Sequence, residues 1–401
     1  MKVLILAPNI DIVGGANILV YKVARFLVSK GDDVQIWSNF LYANAHNRFQ
    51  ENDFIIRNIS EGFSSQEALK RMLGIMSYLR VPAELNSFDV IFCNNFPSYF
   101  STLSPNFHGR PTVWQCNEPS VILYPLPPVV SQQKSFYYGP FFAPVQHTLR
   151  KVDRLAVSRI TRICVLSEFA KERVRLFYNR DSDIIRLGTD TNRFNPSLDG
   201  SVIREQYGIS NRPCILTLGA MEKRVDLVIK AVAIVKKIIP DVVYMMVGPC
   251  DVEIKSRLVN LIRSLRVESN VIMTGEDLIL GSDLIPYFYA ACDVFVFPQP
   301  YWSWSMVTIE AMATGKPVIV PDISGISEII SNEINGVKIP IQDTELLAKT
   351  IVTLLENEKM RRNMGKLARE FVIKNLQASQ FLSKTYDVLK KTCNNENLKD
   401  L

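Results

Sequence analysis

A chain of 401 residues is too long for one ordinary doubly wound domain and comfortable for two. Its 47% hydrophobic and 21% charged residues exclude extended disorder. The net charge of +6 is uneven, with 20 Lys and Arg against 13 Asp and Glu in residues 1–180, and 26 against 27 in residues 181–401. Excess positive charge in the first half suits an anionic partner there, such as a phospholipid surface or a phosphorylated acceptor, and equally suits a mildly basic soluble enzyme.

The opening MKVLILAP is too short an apolar run for a secretion signal and reads as a first buried strand. A Gly-Gly turn follows, then an amphipathic helix near 16–30 and a second strand at 34–37. A helical stretch is expected around 66–79, and buried strands at 89–93 and 111–115. Residues 119–147 hold six prolines and the run Phe-Tyr-Tyr-Gly-Pro-Phe-Phe, a long aromatic loop that either faces an acceptor or packs on its own domain. A helix over 147–162 places Arg150, Lys151, Arg154, Arg159 and Arg162 on one half of its wheel, a solvated face or a membrane-surface one.

Turn residues over 188–196 mark a linker between domains. Six further strands are expected at 214–218, 242–247, 271–274, 294–297, 318–320 and 337–339, with helices between them and a helical pattern over 359–391. Strands alternating with helices throughout predict α/β architecture, two facing doubly wound parallel sheets with a cleft between the domains. Seven widely spaced cysteines (93, 116, 164, 214, 250, 292 and 393) with no C-x-x-C pair fit reduced thiols in a cytoplasmic protein. No apolar run reaches the ~20 residues of a membrane span, so any membrane contact would be peripheral, on the cytoplasmic face.

Chemistry concentrates between residues 298 and 339. A buried strand ends in the loop QPYWSWS, and a helix begins near Met306 with Ser303 and Ser305 as capping residues. The backbone N–H groups of Ser305, Met306 and Val307 form an anion site suited to a diphosphate. Glu310 lies one turn further along a helix otherwise made of apolar and small residues, where a carboxylate can accept two hydrogen bonds from a vicinal diol such as a ribose.

This stretch resembles glycosyltransferase family 4, the large retaining GT-B group, whose E-G-F-G-L-V-x-L-E-A-M-A-x-G-x-P-V corresponds to W-S-W-S-M-V-T-I-E-A-M-A-T-G-K-P-V at 302–318. The resemblance makes Glu310 the ribose-holding second Glu of the E-x7-E pair and puts Trp302 where the first Glu contacts the sugar. Ser324, Gly325 and Glu328 fall on the family's G-G-x-x-E segment near the donor sugar. Residues 218–231, L-G-A-M-E-K-R-V-D-L-V-I-K-A, are similar to G-R-L-x-x-x-K-G-x-D-x-L-I-x-A shortened by two. Lys223 matches the Lys that neutralises the leaving diphosphate, Ala220 stands at the Arg position, and Arg224 replaces the usual Gly. Gly14 and Gly15 match the first glycine loop, which approaches the donor phosphates, although the same pair also suits a plain tight turn. Val113–Pro119 resembles W-x-C-H-E-P, with Asn117 in place of His and Glu118 retained; Asn117 can orient a hydroxyl but cannot shuttle a proton. Residues 157–169 and 186–196 carry further landmarks, so the similarity spans nearly the whole chain.

The resemblance implies a GT-B fold of two Rossmann-like domains, an acceptor domain over 1–190 and a donor domain over 191–375. A C-terminal helix, 376–401, is expected to pack back on the first. It implies retaining transfer of a sugar from a UDP- or GDP-type nucleotide diphosphate sugar to a hydroxyl on a glycan or lipid-linked acceptor. Glu118, Asn117, Lys223 and Glu310 would stand nearest the reaction. No cofactor or metal is required, because cationic side chains can do the metal's work and no D-x-D stands in a suitable loop. No nucleic-acid partner is expected. The altered positions 302 and 220 leave a second reading, a non-catalytic partner subunit or nucleotide-sugar-binding protein. A dinucleotide-dependent oxidoreductase is disfavoured because neither half has G-x-G-x-x-G after its first strand.

Overall fold

The apolar runs of the first half pair as one parallel sheet. In the computed structural model, which describes residues 1–10, 15–41, 54–59, 76–121, 123–124, 143–221, 224–274, 282–301, 304–340 and 343–395, its strands are β1 (Lys2–Ile10), β2 (Asp33–Leu41), β3 (Ile55–Asn58), β4 (Val90–Asn94), β5 (Thr112–Cys116), β6 (Arg162–Val165) and β7 (Asp183–Ile184). Their order is β3-β2-β1-β4-β5-β6-β7. Every residue of β4 and β5 is buried, as expected where helices cover both faces of a parallel sheet. Strands β3, β6 and β7 are additional to those expected, being short runs without a long apolar core. Most of the helix expected at 66–79 and of the aromatic loop at 119–147 lies outside the described residues.

The helix expected at 147–162 is displaced by about one turn. Helix α1 covers Gly15–Ser29 and α2 covers Ala143–Ser158. The helix stops because Arg159 and Ile160 donate to Ala156 and Val157 in a closing turn, after which Thr161 N bonds Thr112 O and pairing with β5 begins. Its basic face is largely spent on carbonyls. Arg150 donates to Leu123 O at 2.6 Å, Arg154 to Phe177 O at 3.0 Å and Arg159 to Thr102 O at 2.9 Å, while Arg162 stands in β6. Helix α3 (Glu168–Tyr178) follows, capped by Ser167.

The second sheet has six strands, β8 (Cys214–Leu218), β9 (Val243–Val247), β10 (Val271–Met273), β11 (Val294–Val296), β12 (Val318–Pro321) and β13 (Val337–Ile339), all parallel in the order β10-β9-β8-β11-β12-β13. Its helices are α4 (Ser201–Gln206), α5 (Val225–Val235), α6 (Val252–Ser264), α7 (Ile285–Ala291), α8 (Met306–Ala313), α9 (Thr344–Glu356) and α10 (Glu358–Asn375). Val228, Ile229, Val232, Tyr244, Met246, Ile319 and Ile351 share its core.

The chain divides into two compact units, Met1–Arg186 with Phe381–Leu401, and Leu187–Gln380. Residues of the turn-rich segment at 188–196 are fastened to the second unit. Thr189 exchanges backbone hydrogen bonds with Leu376 and Ala378 at 2.9 and 3.0 Å. This pairing interrupts the helical pattern over 359–391, leaving α10 and a separate α11 (Ala378–Cys393). In α11, Tyr386 meets Phe26 of the first unit edge-on at 6.2 Å. Among the described residues no helix is long and apolar enough to cross a membrane.

Helix α10 is pressed against the end of α8. A Cβ at Gly365 would lie 1.9 Å from Gly315 O, and Gly315 itself holds φ +75°. Arg369 donates to the carbonyls of Ala313, Phe194 and Thr191 beside this contact. Gly365 therefore serves close helix approach despite its low helix propensity. Gly365→Ala forces the helices apart at a cost of about 1–3 kcal/mol, which should lower the thermal midpoint by about 2–10 °C in a unit of this size. Calorimetry checks this, and an unchanged midpoint would show that the contact yields freely.

Candidate active site

Ligands of open α/β sheets bind beyond the carboxyl ends of strands where the strand order reverses. In the second sheet that point lies between β8 and β11. The turns following β8, β11 and β12 emerge side by side; among the described residues they carry Arg224, then Tyr301, Trp304 and Ser305, then Ser324–Glu328 respectively. In the first sheet the equivalent point lies between β1 and β4, with Asn117 and Glu118 beyond the next strand, β5.

Three of the non-glycine residues with left-handed backbone sit at these edges: Asn95 at φ +58°, Arg224 at +61° and Tyr301 at +58°. The others occupy turns and helix ends elsewhere. Such conformations cost about 1–3 kcal/mol each and persist where surrounding structure holds them. At Arg224 the angle explains why glycine is usual in the similar family segment. Its side chain is buried, and Nε pairs with Asp226 Oδ1 at 3.3 Å, while Lys230 reaches the other oxygen at 3.7 Å. At the end of β8, Gly219 holds φ +126°. The backbone of Gly248, at the end of β9, approaches it so closely that a Cβ there would lie 2.3 Å from Gly219 O.

Ser305 caps α8 as expected. It is buried, its Oγ accepts from Thr308 N at 3.3 Å, and it also meets Thr308 Oγ1 at 2.7 Å. The loop before it is pinned by Trp304, whose indole donates to Leu187 O at 2.9 Å. Met306 and Val307 form the half-buried first turn. Glu310 is half-buried, and its Oε2 accepts from the hydroxyl of Tyr289 at 2.8 Å. Burial, followed by the charge of Glu310 and this hydrogen bond, raises the Tyr289 phenol well above its ordinary value, so it remains a donor. Ser324 is buried, donating to Pro321 O at 3.1 Å and accepting from Ser327 Oγ at 2.7 Å. Gly325 opens the buried turn that follows, whereas Glu328 is exposed. Gly15 starts α1; Gly14, Lys223 and Trp302 lie outside the described residues.

In the first unit Asn117 and Glu118 are half-buried. Gln115 Nε2 donates to Asn117 Oδ1 and Asn117 N to Asn95 Oδ1, both at 3.3 Å. Glu118 Oε1 pairs with Arg173 Nε at 3.1 Å, and Arg173 also bonds Tyr124 O at 3.4 Å. Beneath this segment Asp153 is fully buried, accepting from Tyr99 at 2.5 Å and Tyr124 at 2.9 Å. Burial raises the Asp153 carboxyl above the usual carboxylate value, and the hydroxyls of Tyr99, Tyr178 and Tyr124 offset part of that rise.

Tyr289, Arg173 and Asp153 were not singled out by the motifs. Tyr289 reaches Glu310 across 21 residues, and an aromatic in an apolar helix gives no local sign of where its hydroxyl goes. Only an unusual charge inside a covered helix, as at Asp153, offered a clue.

Two family descriptions match successive parts of the chain, Glycosyltransferase Family 4 over residues 13–193 and Glycosyl transferases group 1 over residues 201–371. The N-acetyl-alpha-D-glucosaminyl L-malate synthase of Bacillus anthracis is 28% identical over 196 residues, 48% of this chain and 50% of the relative. The chain thus spans about half the length of the curated relatives it matches first. Among solved structures, the sucrose-phosphate synthase of Thermosynechococcus elongatus superposes with a TM-score of 0.78 at 19% identity, covering 99% of this chain and 100% of its own. Anabaena HepE in complex with UDP and glucose gives 0.75 at 19%, covering 97% and 99%. These two structures establish the two-domain GT-B fold.

Proposed function

The chain belongs to the group 1 glycosyltransferases of GT-B fold, and on that premise we propose that it moves a glycosyl unit from a nucleotide diphosphate sugar to a hydroxyl acceptor, with retention. The observation that carries the donor assignment is Glu310, a half-buried carboxylate held by Tyr289 one turn inside a capped helix beyond the switch point of the second sheet. In this reading Glu310 accepts hydrogen bonds from the donor ribose. The N–H groups at Ser305, Met306 and Val307 receive the diphosphate. Lys223 and Arg224, rather than a metal ion, neutralise charge as the diphosphate leaves. Trp302, Ser324, Gly325 and Glu328 belong to the sugar end of the donor.

Asn117 and Glu118 are assigned to the reacting sugar and its acceptor. Arg173 orients the Glu118 carboxylate, and Asn117 serves as a hydrogen-bonding group only. The acceptor hydroxyl is assigned to a glycan or a lipid-linked molecule. Contact with an anionic membrane is disfavoured at α2, since Arg150 and Arg154 within it and Arg159 just past its end are bound to carbonyls.

The test begins with ligand-induced stabilisation by UDP, GDP and ADP. The cognate nucleotide at 100 times its dissociation constant should add about 2.7 kcal/mol to stability, seen as a raised thermal midpoint, and the other two should add less. Transfer from the matching sugar nucleotide should then survive EDTA. No shift with any nucleotide would remove the donor site. Binding without turnover across a panel of sugar donors would favour the non-catalytic reading that Trp302 and Ala220 motivate.

A further inference from the structure

Glu310 has three side-chain torsions and stands on a helix of eight residues, so its own backbone does little to aim the carboxylate. Helix α7 supplies an aiming contact. Tyr289 is fully buried there, with its ring edge-on to Phe194 at 5.8 Å and tilted against Phe295 of β11 at 5.7 Å. A ring enclosed in this way has one orientation, and its hydroxyl ends 2.8 Å from Glu310 Oε2. Lys316, just past α8, donates to Ala290 O at 2.9 Å and ties the same two helices together at a second point. Thr314 closes the end of α8 onto Glu310 O at 2.9 Å. The distance between phenol and carboxylate is thus set from both sides.

We propose that Tyr289 is a positioning residue that holds Glu310 in the orientation receiving a ribose diol, and that it thereby sets the preference of the site for ribonucleotide over 2′-deoxyribonucleotide donors. The inference rests on the reading of Glu310 given above. Without the phenol the carboxylate loses a contact that fixes its rotamer, and each ligand must first pay more to order it. That loss falls on ligands that use the diol. A nucleotide lacking the 2′-hydroxyl makes at most part of the contact and has less to lose.

The probes are UDP and GDP, each measured against its 2′-deoxy form by titration calorimetry on the full chain. The variants are Tyr289→Phe, Glu310→Gln and the double variant. Tyr289→Phe keeps the ring and its packing. It should raise Kd for the preferred ribonucleotide about tenfold, equivalent to about 1.4 kcal/mol, and Kd for the deoxy form less than about twofold. The thermal midpoint without ligand reports whether packing has survived. In the Glu310→Gln background the same change should have no further effect on the ratio. A Tyr289→Phe protein that weakens both forms equally, or neither, overturns the proposal while leaving Glu310 in place. A Glu310→Gln protein that keeps the full ribose preference overturns the underlying reading, and the proposal with it.

Discussion

Glu310→Gln lowers kcat/KM for glycosyl transfer by about a hundredfold or more, most of it in the KM for the donor. A carboxylate accepting two hydrogen bonds from a ribose diol gains about 1.5–3 kcal/mol from each. A carboxamide keeps one acceptor but loses the charge and turns a donor toward a hydroxyl. At about 1.4 kcal/mol per tenfold, two weakened bonds give that factor. The ribose is remote from the reacting centre, so its contacts act on ground state and transition state alike and the loss appears in KM. Gln is the informative substitution because its carbonyl can still accept from Tyr289, whereas Ala would leave a buried phenol without a partner at a further cost to folding. Initial rates over a range of donor concentrations give the two parameters separately. Wild-type kcat/KM in the variant would remove Glu310 from the donor site.

The second large effect concerns folding of the first unit. Asp153→Ala takes the acceptor from Tyr99 and Tyr124, both buried, and opens a small cavity between α2 and its neighbours. Stranding buried hydroxyls costs about 1–3 kcal/mol each, so a loss of about 3–5 kcal/mol is expected. Tyr124 ends the segment that carries Asn117 and Glu118, and its carbonyl is held by the same Arg173 that pairs with Glu118. Activity should therefore fall before the unit unfolds. Tyr99 packs against Trp114 with ring centroids 4.3 Å apart and the planes tilted by 51°, which makes near-ultraviolet circular dichroism a local reporter of the transition.

The pH dependence has a definite sign. Burial raises the Asp153 carboxyl above its ordinary value near 3.8, so the folded state binds its proton more tightly than the unfolded chain does. The stability linked to that proton is fully present below about 3.8 and is lost as pH rises through the folded-state value. Asp153→Asn does not titrate. Wild-type stability relative to this variant should thus be greatest in acid and decline above the ordinary carboxylate range. Urea unfolding of both proteins from pH 4 to 7 measures the difference, and a difference that grows with pH would contradict the assignment.

What could be read from residues alone was whatever is local or strictly periodic. Short apolar runs such as Cys214–Leu218 must become strands wherever both faces are covered, and Ser305 before an apolar helix must become a cap, because backbone N–H groups at a helix start need a partner. The motif around Glu310 and the turn at Arg224 were legible for the same reason, lying within one strand–turn–helix unit each. Strands β3, β6 and β7 were not, since their pairing supplies the stability that their composition lacks. The helix over 147–162 was set one turn late because a wheel cannot show which arginines will meet carbonyls of other loops.

Tertiary structure alone decided what each functional side chain touches. Tyr289 on Glu310, Arg173 on Glu118 and two tyrosines on Asp153 join different elements, brought together by sheet order and helix packing. A hydrogen bond between distant segments leaves no periodic trace in either of them. It forms only after the burial of apolar faces has fixed where both backbones lie, and that burial is a property of the whole fold.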